Sequence, residues 1–566
     1  MVNPVVLTLC LALQALARPQ GPWQGLPQVR PQGPWSQYNQ HGQWNHHYVP
    51  TTSSTSAYAQ ISSSSKAQAQ KSESTTSYRT GSFTTSGSAY PSGTGISFGT
   101  RTAVGTGYIP GTSLASVQSS PTAVVTFSSE TSTASTISTF GFTAASKQIS
   151  TPVGASVATT AASSNSPTST EFVRGVNIGG WLLVEKFMNG DDLFTGNGED
   201  AVDQWTLDQT SGAAAALQKH WDTYFTEADV QTLKGYGINA LRIPIGFWAY
   251  DNTGTPYVSY GIGQGADSYL EKAIGWAQTA GLRVWVDCHG SPGGQNGYDN
   301  SGHKGDVEWQ QGDNLAKSIA VLTTMALKYG SKEYSDTVMG IELVNEPISW
   351  GNNTLSTTQT WAQEAYHAVK ANSTNENLMV VMHDAFAPNG PSDWTTIAKS
   401  LGPRGVFGID THMYQTLVAA DIALTQAEHI TTACQRGMAL SSANALAPVY
   451  VGEWSSTTNA CINPDGTSTA GTCSTEGCVC VTDPMDTWTD VVVEEVRKFV
   501  EAQLESFEAS TSGYMLWSWA VNIKKLTASI DDDMGTWSIK DGINKGIIPT
   551  PLDDPSQRKY PGQCSS

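Results

Sequence analysis

The sequence predicts an α/β protein whose folded part is a (β/α)8 barrel, preceded by a long Ser/Thr-rich region. Two observations carry this. From Glu171 to Ser566, eight β-rich runs alternate with helical stretches. Before Glu171 the composition gives no means of building a core.

The strands are expected at Phe172–Ile178, Ala240–Pro244, Arg283–Asp287, Val338–Leu343, Leu378–His383, Val406–Met413, Val449–Glu453 and Gly513–Trp519. Between them, helices are expected at Ser268–Thr279 ahead of Gly281, at Leu315–Tyr329 ahead of Gly330, and at Asp486–Glu508. Leu315, Ile319, Leu322, Met325 and Ala326 recur at helical spacing, and Val491–Phe507 keeps its charged residues on the opposite face. Periodicity alone would also allow an open doubly wound sheet.

The N-terminal part divides into three. Residues 1–17 read as a signal peptide, with apolar Val5–Ala12 and an A-x-A-like cleavage site at Ala15-Leu16-Ala17. Residues 18–50 are rich in Gln, Pro and Trp and repeat RPQGPW at Arg18 and Arg30, which suggests a disordered arm. Residues 51–170 hold 56 Ser and Thr among 120 positions, too little apolar surface to offset the entropy of ordering. In an exported chain that composition reads as an O-glycosylated stalk. No later run is long enough for a membrane span, and the C-terminus lacks the apolar tail of a glycolipid-anchor signal. The expectation is a secreted, extracellular or wall-associated monomer.

Charge narrows the partners. The first 170 residues carry 7 basic and 2 acidic side chains; the rest carries 23 and 47. A body that acidic repels phosphate backbones, so nucleic acid is excluded as a partner, while an uncharged polymer is not. Of the eight Cys, Cys10 leaves with the signal and Cys288 falls in a buried strand as a free thiol. Cys434, Cys461, Cys473, Cys478, Cys480 and Cys564 form an even set, which export would pair as disulfides rather than as a zinc site. Asn352 and Asn372 begin N-x-S/T sequons.

In a parallel barrel the chemistry sits at the C-terminal strand ends. Those ends carry Asn177 and Trp181, Arg242, Asp287-Cys288-His289-Gly290, Asn345-Glu346-Pro347, His412-Met413-Tyr414, Glu453-Trp454 and Trp517-Ser518-Trp519. Glu346 and Glu453 stand out, ending strands that lie opposite each other across one barrel mouth. Two rim glutamates in salt bridges would be the bland explanation. Two carboxylates facing one centre suit glycosidic bond cleavage, one donating a proton and the other attacking carbon.

The motifs RGVNIGGW (174–181), LRIP (241–244), DCHGSPGGQNGYDNSG (287–302), LVNEP (343–347), HMYQ (412–415), VGEWS (451–455) and LWSW (516–519) occur in that order. With them, residues 171–566 resemble glycoside hydrolase family 5 in its fungal exo-β-1,3-glucanase branch. The resemblance implies Glu346 as acid/base and Glu453 as nucleophile. It implies that Arg242 keeps Glu453 ionised, that Tyr414 donates to Glu453, and that Asn345 bonds the sugar 2-hydroxyl. His289 and His412 would bond sugar hydroxyls, and Glu185 would grip the terminal sugar. Asp299 and Asn300 would lie in the loop that narrows the pocket. Trp517 and Trp519 alternate, so one faces the packing, and the resemblance gives Trp519 the platform under the sugar. It pairs Cys434 with Cys564 and leaves Cys461 to bridge one of the remaining three. Leu417 departs from the family, which commonly has an aromatic there. The implied activity is retaining hydrolysis of β-1,3-glucan from non-reducing ends, with no metal or cofactor. Alternatives are an endo-acting, β-1,6- or β-1,4-directed or transglycosylating enzyme, or a non-catalytic wall protein.

Overall fold

In the computed structural model, residues 171–521 and 534–565 are described, and the expected signal, arm and stalk lie outside them. Apolar runs bounded by turns form β1 (Val173–Asn177), β2 (Ala240–Gly246), β3 (Arg283–Gly290), β4 (Val338–Glu342), β5 (Met379–His383), β6 (Phe407–Met413) and β7 (Val449–Trp454). After a small insertion sheet, β8 (Ala460–Ile462), β9 (Ser468–Ala470) and β10 (Val479–Cys480), comes β11 (Gly513–Leu516). β1–β7 and β11 close into a parallel barrel in the order β1-β11-β7-β6-β5-β4-β3-β2. The open doubly wound alternative is thereby excluded.

Strand periodicity explains both sides of the wall. Val173, Ala240, Trp285, Met339, Met379, Val381, Tyr450 and Met515 pack together as one cluster. Their neighbours Val176, Leu241, Ile243, Val284, Val286 and Ile341 pack in the larger core. That core receives the apolar stripes of α1 (Gly265–Ala280), α2 (Asn314–Tyr329), α3 (Leu355–Asn372) and α5 (Asp490–Ser510), while α4 (Gln426–Ala439) packs Ala433 and Cys434 against Phe499 and Ala502 of α5 in a separate cluster. α1 stops at Gly281, whose φ of 74° suits a residue without Cβ.

Two boundaries differ from expectation in a way that matters. α5 begins at Asp490, not Asp486, because the Thr489 side chain caps Val492 N and the preceding Met485–Thr487 forms a separate turn. β11 ends at Leu516, three residues early: Trp517 N and Trp519 N still donate to Trp454 O at 2.8 Å and Asn177 O at 2.9 Å, but between them Ser518 N donates to Trp537 O at 2.6 Å.

Disulfides join Cys434 to Cys564, Cys461 to Cys480 and Cys473 to Cys478; Cys288 is a buried free thiol. The first clips the chain's last residues to α4, and the second lies in the insertion sheet. That sheet braces the loop after β6, where Thr416 Oγ1 donates to Asn459 Oδ1 at 2.6 Å. Among the described residues no helix is long and apolar enough to cross a membrane.

Asp208 joins the loops that follow β1 and β2, accepting Val258 N at 2.7 Å. Burial pushes its carboxyl up to about 7. Unfolded, it titrates near 4, so the folded chain holds the extra proton between those values. Its contribution to stability is full below pH ~4 and is lost as pH rises through ~7. Asp208→Asn should flatten Tm against pH over that window and raise Tm at pH 8 by about 2 °C, read by scanning fluorimetry.

Candidate active site

The site is organised around Arg242, which β2 presents to the barrel interior with no exposed surface. Its Nε and Nη2 lie 2.8 Å from Glu342 Oε2, Nη2 lies 3.1 Å from Asp287 Oδ2, and Nη2 donates to Asn345 Oδ1 at 2.8 Å. Nη1 donates to Asn177 Oδ1 at 3.0 Å and Glu453 Oε1 at 2.9 Å. Burial works against the guanidinium charge, but Asp287, Glu342, Glu453 and Asp410 more than restore it. Glu342 is pushed well above the carboxylate range by burial, which Arg242 only partly offsets. Asp287, also buried, is pulled below its ordinary value by Arg242 and His289.

Glu346 and Glu453 meet at His412. Its Nδ1 lies 2.7 Å from Glu346 Oε1 and 3.4 Å from Glu453 Oε2, and its Nε2 lies 3.3 Å from Asp410 Oδ2. Asn300 Nδ2 donates to Glu346 Oε2 at 2.8 Å, and Tyr414 Oη donates to Glu453 Oε2 at 2.7 Å. Gly452, beside Glu453, must be glycine: a Cβ there would sit 2.1 Å from Asp410 Oδ2. Glu346 itself has φ 46°, a left-handed conformation that costs a non-glycine residue about 1–3 kcal/mol.

The protonation pattern follows from these contacts. Burial opposes charge on His412, yet Glu453, Asp410 and Glu346 raise its pKa well above the usual imidazole value. Burial raises Glu453, and His412 and Arg242 only partly counter it. For Glu346 the burial penalty is outweighed by the hydrogen bond and charge of His412 and by Asn300, so its pKa is lowered. These contacts favour the imidazolium–carboxylate form of the His412–Glu346 pair.

The pocket, about 460 Å³, is lined by Glu185, Phe187, His289, Asn300, Glu346, Tyr414, Leu417, Glu453, Trp517 and Trp537. Arg242, Asn345 and His412 stand behind that lining and bond to it. His289 lies 2.6 Å from Asp287 through Nδ1, and its ring is parallel to Trp517 at 5.6 Å. Glu185 is buried, its pKa raised by burial and then by the charges of Asp299, Glu453 and Glu346. Its Oε1 has no hydrogen-bond partner among the described residues. Asp299 lies in the turn Asp299–Ser301, beside Asn300 but off the lining.

Trp519 is a correction. It is buried in the main core, edge-on to Phe225 at 6.4 Å, as Trp181 is at 5.3 Å. Because β11 ends at Leu516, strand alternation cannot be extended to residue 519, and Trp517 is the ring that faces the pocket. Sequence reasoning also passed over Glu342 and Asp410 around the cation, though an acid inside an apolar strand run was the available signal. Phe187 and Trp537 carried no signal.

Glu346, His383 and His412 bring potential metal-ligand atoms within 4.8 Å of one another. Both ring nitrogens of His412 already face carboxylates, so a cation would have to break the His412–Glu346 contact. The sulfurs of the other such cluster, Cys461, Cys473 and Cys480, are in disulfides.

Residues 200–521 match the family model described as cellulase (glycosyl hydrolase family 5). The chain belongs to glycosyl hydrolase family 5. Among the relatives of this hydrolase is a glucan 1,3-beta-glucosidase of Candida oleophila, 35% identical over 414 residues, covering 69% of this chain and 91% of that one. Glucan 1,3-beta-glucosidase I/II of Saccharomyces cerevisiae is 34% identical over 417 residues, covering 70% and 88%. In structure, rutinosidase from Aspergillus niger shares the fold, with TM-score 0.51, 21% identity and coverage of 67% and 98%.

The two tryptophans should separate experimentally. Trp517→Ala should lower kcat/KM for glycoside hydrolysis of the folded fraction at least about tenfold, besides a fall in Tm, since its ring is buried in the cluster with Tyr298, Tyr414 and Trp537. Trp519→Ala should lower stability by about 3–5 kcal/mol, seen as a fall in Tm, while the folded fraction keeps its activity.

Proposed function

We propose that this enzyme hydrolyses β-1,3-glucan from non-reducing ends with retention of configuration, releasing glucose, and that it works outside the cell on wall glucan. Glu346 is the acid/base and Glu453 the nucleophile. The observation that carries this is the His412 contact with both carboxylates at 2.7 and 3.4 Å. Both carboxylates thus face one imidazole nitrogen, a closeness that favours the narrowly spaced pair of a retaining enzyme over the wider pair that seats an attacking water.

The roles follow from the partners. Arg242 and Tyr414 each place a donor on Glu453, offsetting part of what burial costs its charged form. Glu346 receives its proton along the short contact from His412 once a sugar fills the pocket, and gives it to the departing oxygen. Glu453 attacks the anomeric carbon; Glu346, now ionised, then takes a proton from the water that releases the sugar. Glu185, with an unengaged oxygen, is placed to accept a hydroxyl of the terminal sugar, and Trp517 to stack on its C–H face. The names of the relatives support the β-1,3 linkage. The disulfides favour an oxidising compartment.

A second reading, transfer of the glucosyl unit to another sugar, is favoured by one observation. A larger hollow under the β5 and β6 loops, walled by Phe386, Pro388, Val418 and Leu440, shares Tyr414 and Leu417 with the pocket and could seat an acceptor.

The test is NMR of fresh digests of linear β-1,3-glucan. Glucose appearing first as the β anomer is expected; an initial α anomer would mean inversion, and mixed oligosaccharides internal cleavage. Glu453→Ala should lose at least about 10⁴-fold in kcat, since the covalent path needs that oxygen. The pH–rate profile should show its acid limb above the ordinary carboxylate value of ~4.3, because activity requires Glu453 ionised and burial raises it.

A further inference from the structure

Gln295 lies in the loop after β3 and is fully buried, yet it does not line the pocket. Every polar atom of its amide is used. Nε2 donates to the carbonyls of His289 at 2.6 Å and Asn345 at 2.9 Å, and Oε1 accepts Ser291 N at 3.0 Å. Its own carbonyl accepts Asn353 Nδ2 at 2.9 Å and Ile348 N at 3.3 Å, which ties the same loop to the stretch following Glu346.

The Asn345 carbonyl belongs to the peptide plane that joins Asn345 to Glu346. Rotating that plane about the Glu346 N–Cα bond is what changes φ of Glu346. That φ is 46°, a conformation an L-residue keeps only where its surroundings over-determine it. The carbonyl defining the plane is held by a side-chain amide with no freedom left. Glu453 is anchored separately, by Arg242 and Tyr414.

We propose that Gln295 is a positioning residue for the proton donor: by holding the Asn345 carbonyl it locks Glu346 in its strained conformation, with the carboxyl aimed at His412, Asn300 and the departing oxygen. This rests on Glu346 being the acid/base. Without the amide, the plane relaxes toward negative φ and the carboxyl swings out of line, while the nucleophile keeps its place. The defect is then one of proton donation, and it scales with the leaving group's need for a proton.

The experiment compares kcat/KM on 2,4-dinitrophenyl β-glucoside, whose leaving group departs unprotonated, with kcat/KM on laminaribiose, whose leaving group must be protonated. The proteins are wild type, Gln295→Met, which keeps volume but has no donor, Gln295→Glu, and Glu346→Ala as reference. Gln295→Met should lose about 100-fold on laminaribiose, the low end of general acid catalysis, and less than about fivefold on the activated glucoside. Azide should speed its turnover of the activated glucoside, as for Glu346→Ala. Gln295→Glu should approach wild type as pH falls, because a protonated carboxyl facing two carbonyls regains one donor. Should Gln295→Met fail to fold, the pH-dependent recovery of Gln295→Glu carries the test by itself. Equal losses on both substrates, with Glu346→Ala still selective, would overturn the positioning role and leave the acid assignment standing. A Glu346→Ala variant without selectivity would overturn the acid assignment, and this inference with it.

Discussion

A single guanidinium, that of Arg242, is the constraint on which the site depends. Removing such a charge from water costs several kcal/mol unless hydrogen bonds replace the lost hydration. Here the replacements come from Asn177 at the end of β1, Asp287 on β3, Glu342 at the end of β4, Asn345 just beyond it, and Glu453 on β7. One cation thus fixes the relative height of four strand ends besides its own. A lysine ammonium could not reach these partners in a single plane, which makes the residue type as well as the charge a requirement.

The two carboxylates are held in unlike ways. Glu453 lies within β7, where the register to both neighbouring strands shifts by a residue, and its carboxylate is gripped by Arg242 and Tyr414. Glu346 lies past the end of β4, and its aim depends on a left-handed backbone turn as much as on side-chain contacts. His412 links them electrically, so the charge on one is felt by the other through a shared imidazole. The division makes sense for a proton donor that must later act as a base and a nucleophile that must stay put.

Much of this was legible in the sequence because the barrel's chemistry is concentrated at strand ends, and the eight apolar runs were distinct. Arg242, Asn345, Glu346, His412, Tyr414 and Glu453 could be singled out because ionisable or amide groups closing buried strands demand an explanation. Asp410 and Glu342 obeyed the same rule but looked like parts of longer runs. Trp517 and Trp519 could not be told apart, since the choice turned on where the last strand stops. Past Leu516 the backbone N–H groups of residues 517 to 519 go in turn to Trp454, Trp537 and Asn177, a pattern that apolar alternation does not encode. Gln295 was invisible for a further reason: its effect is exerted on a peptide plane fifty residues away, and composition carries no trace of it.

The Cys434–Cys564 bridge has a topological consequence. It encloses a covalent ring with a sequence separation of 130 that contains β7, the insertion, α5 and β11, and so both Glu453 and Trp517. A protease that nicks any exposed turn inside that ring leaves two fragments still chained together. An enzyme built this way would tolerate surface clipping in a hostile medium without shedding the part that holds its attacking carboxylate.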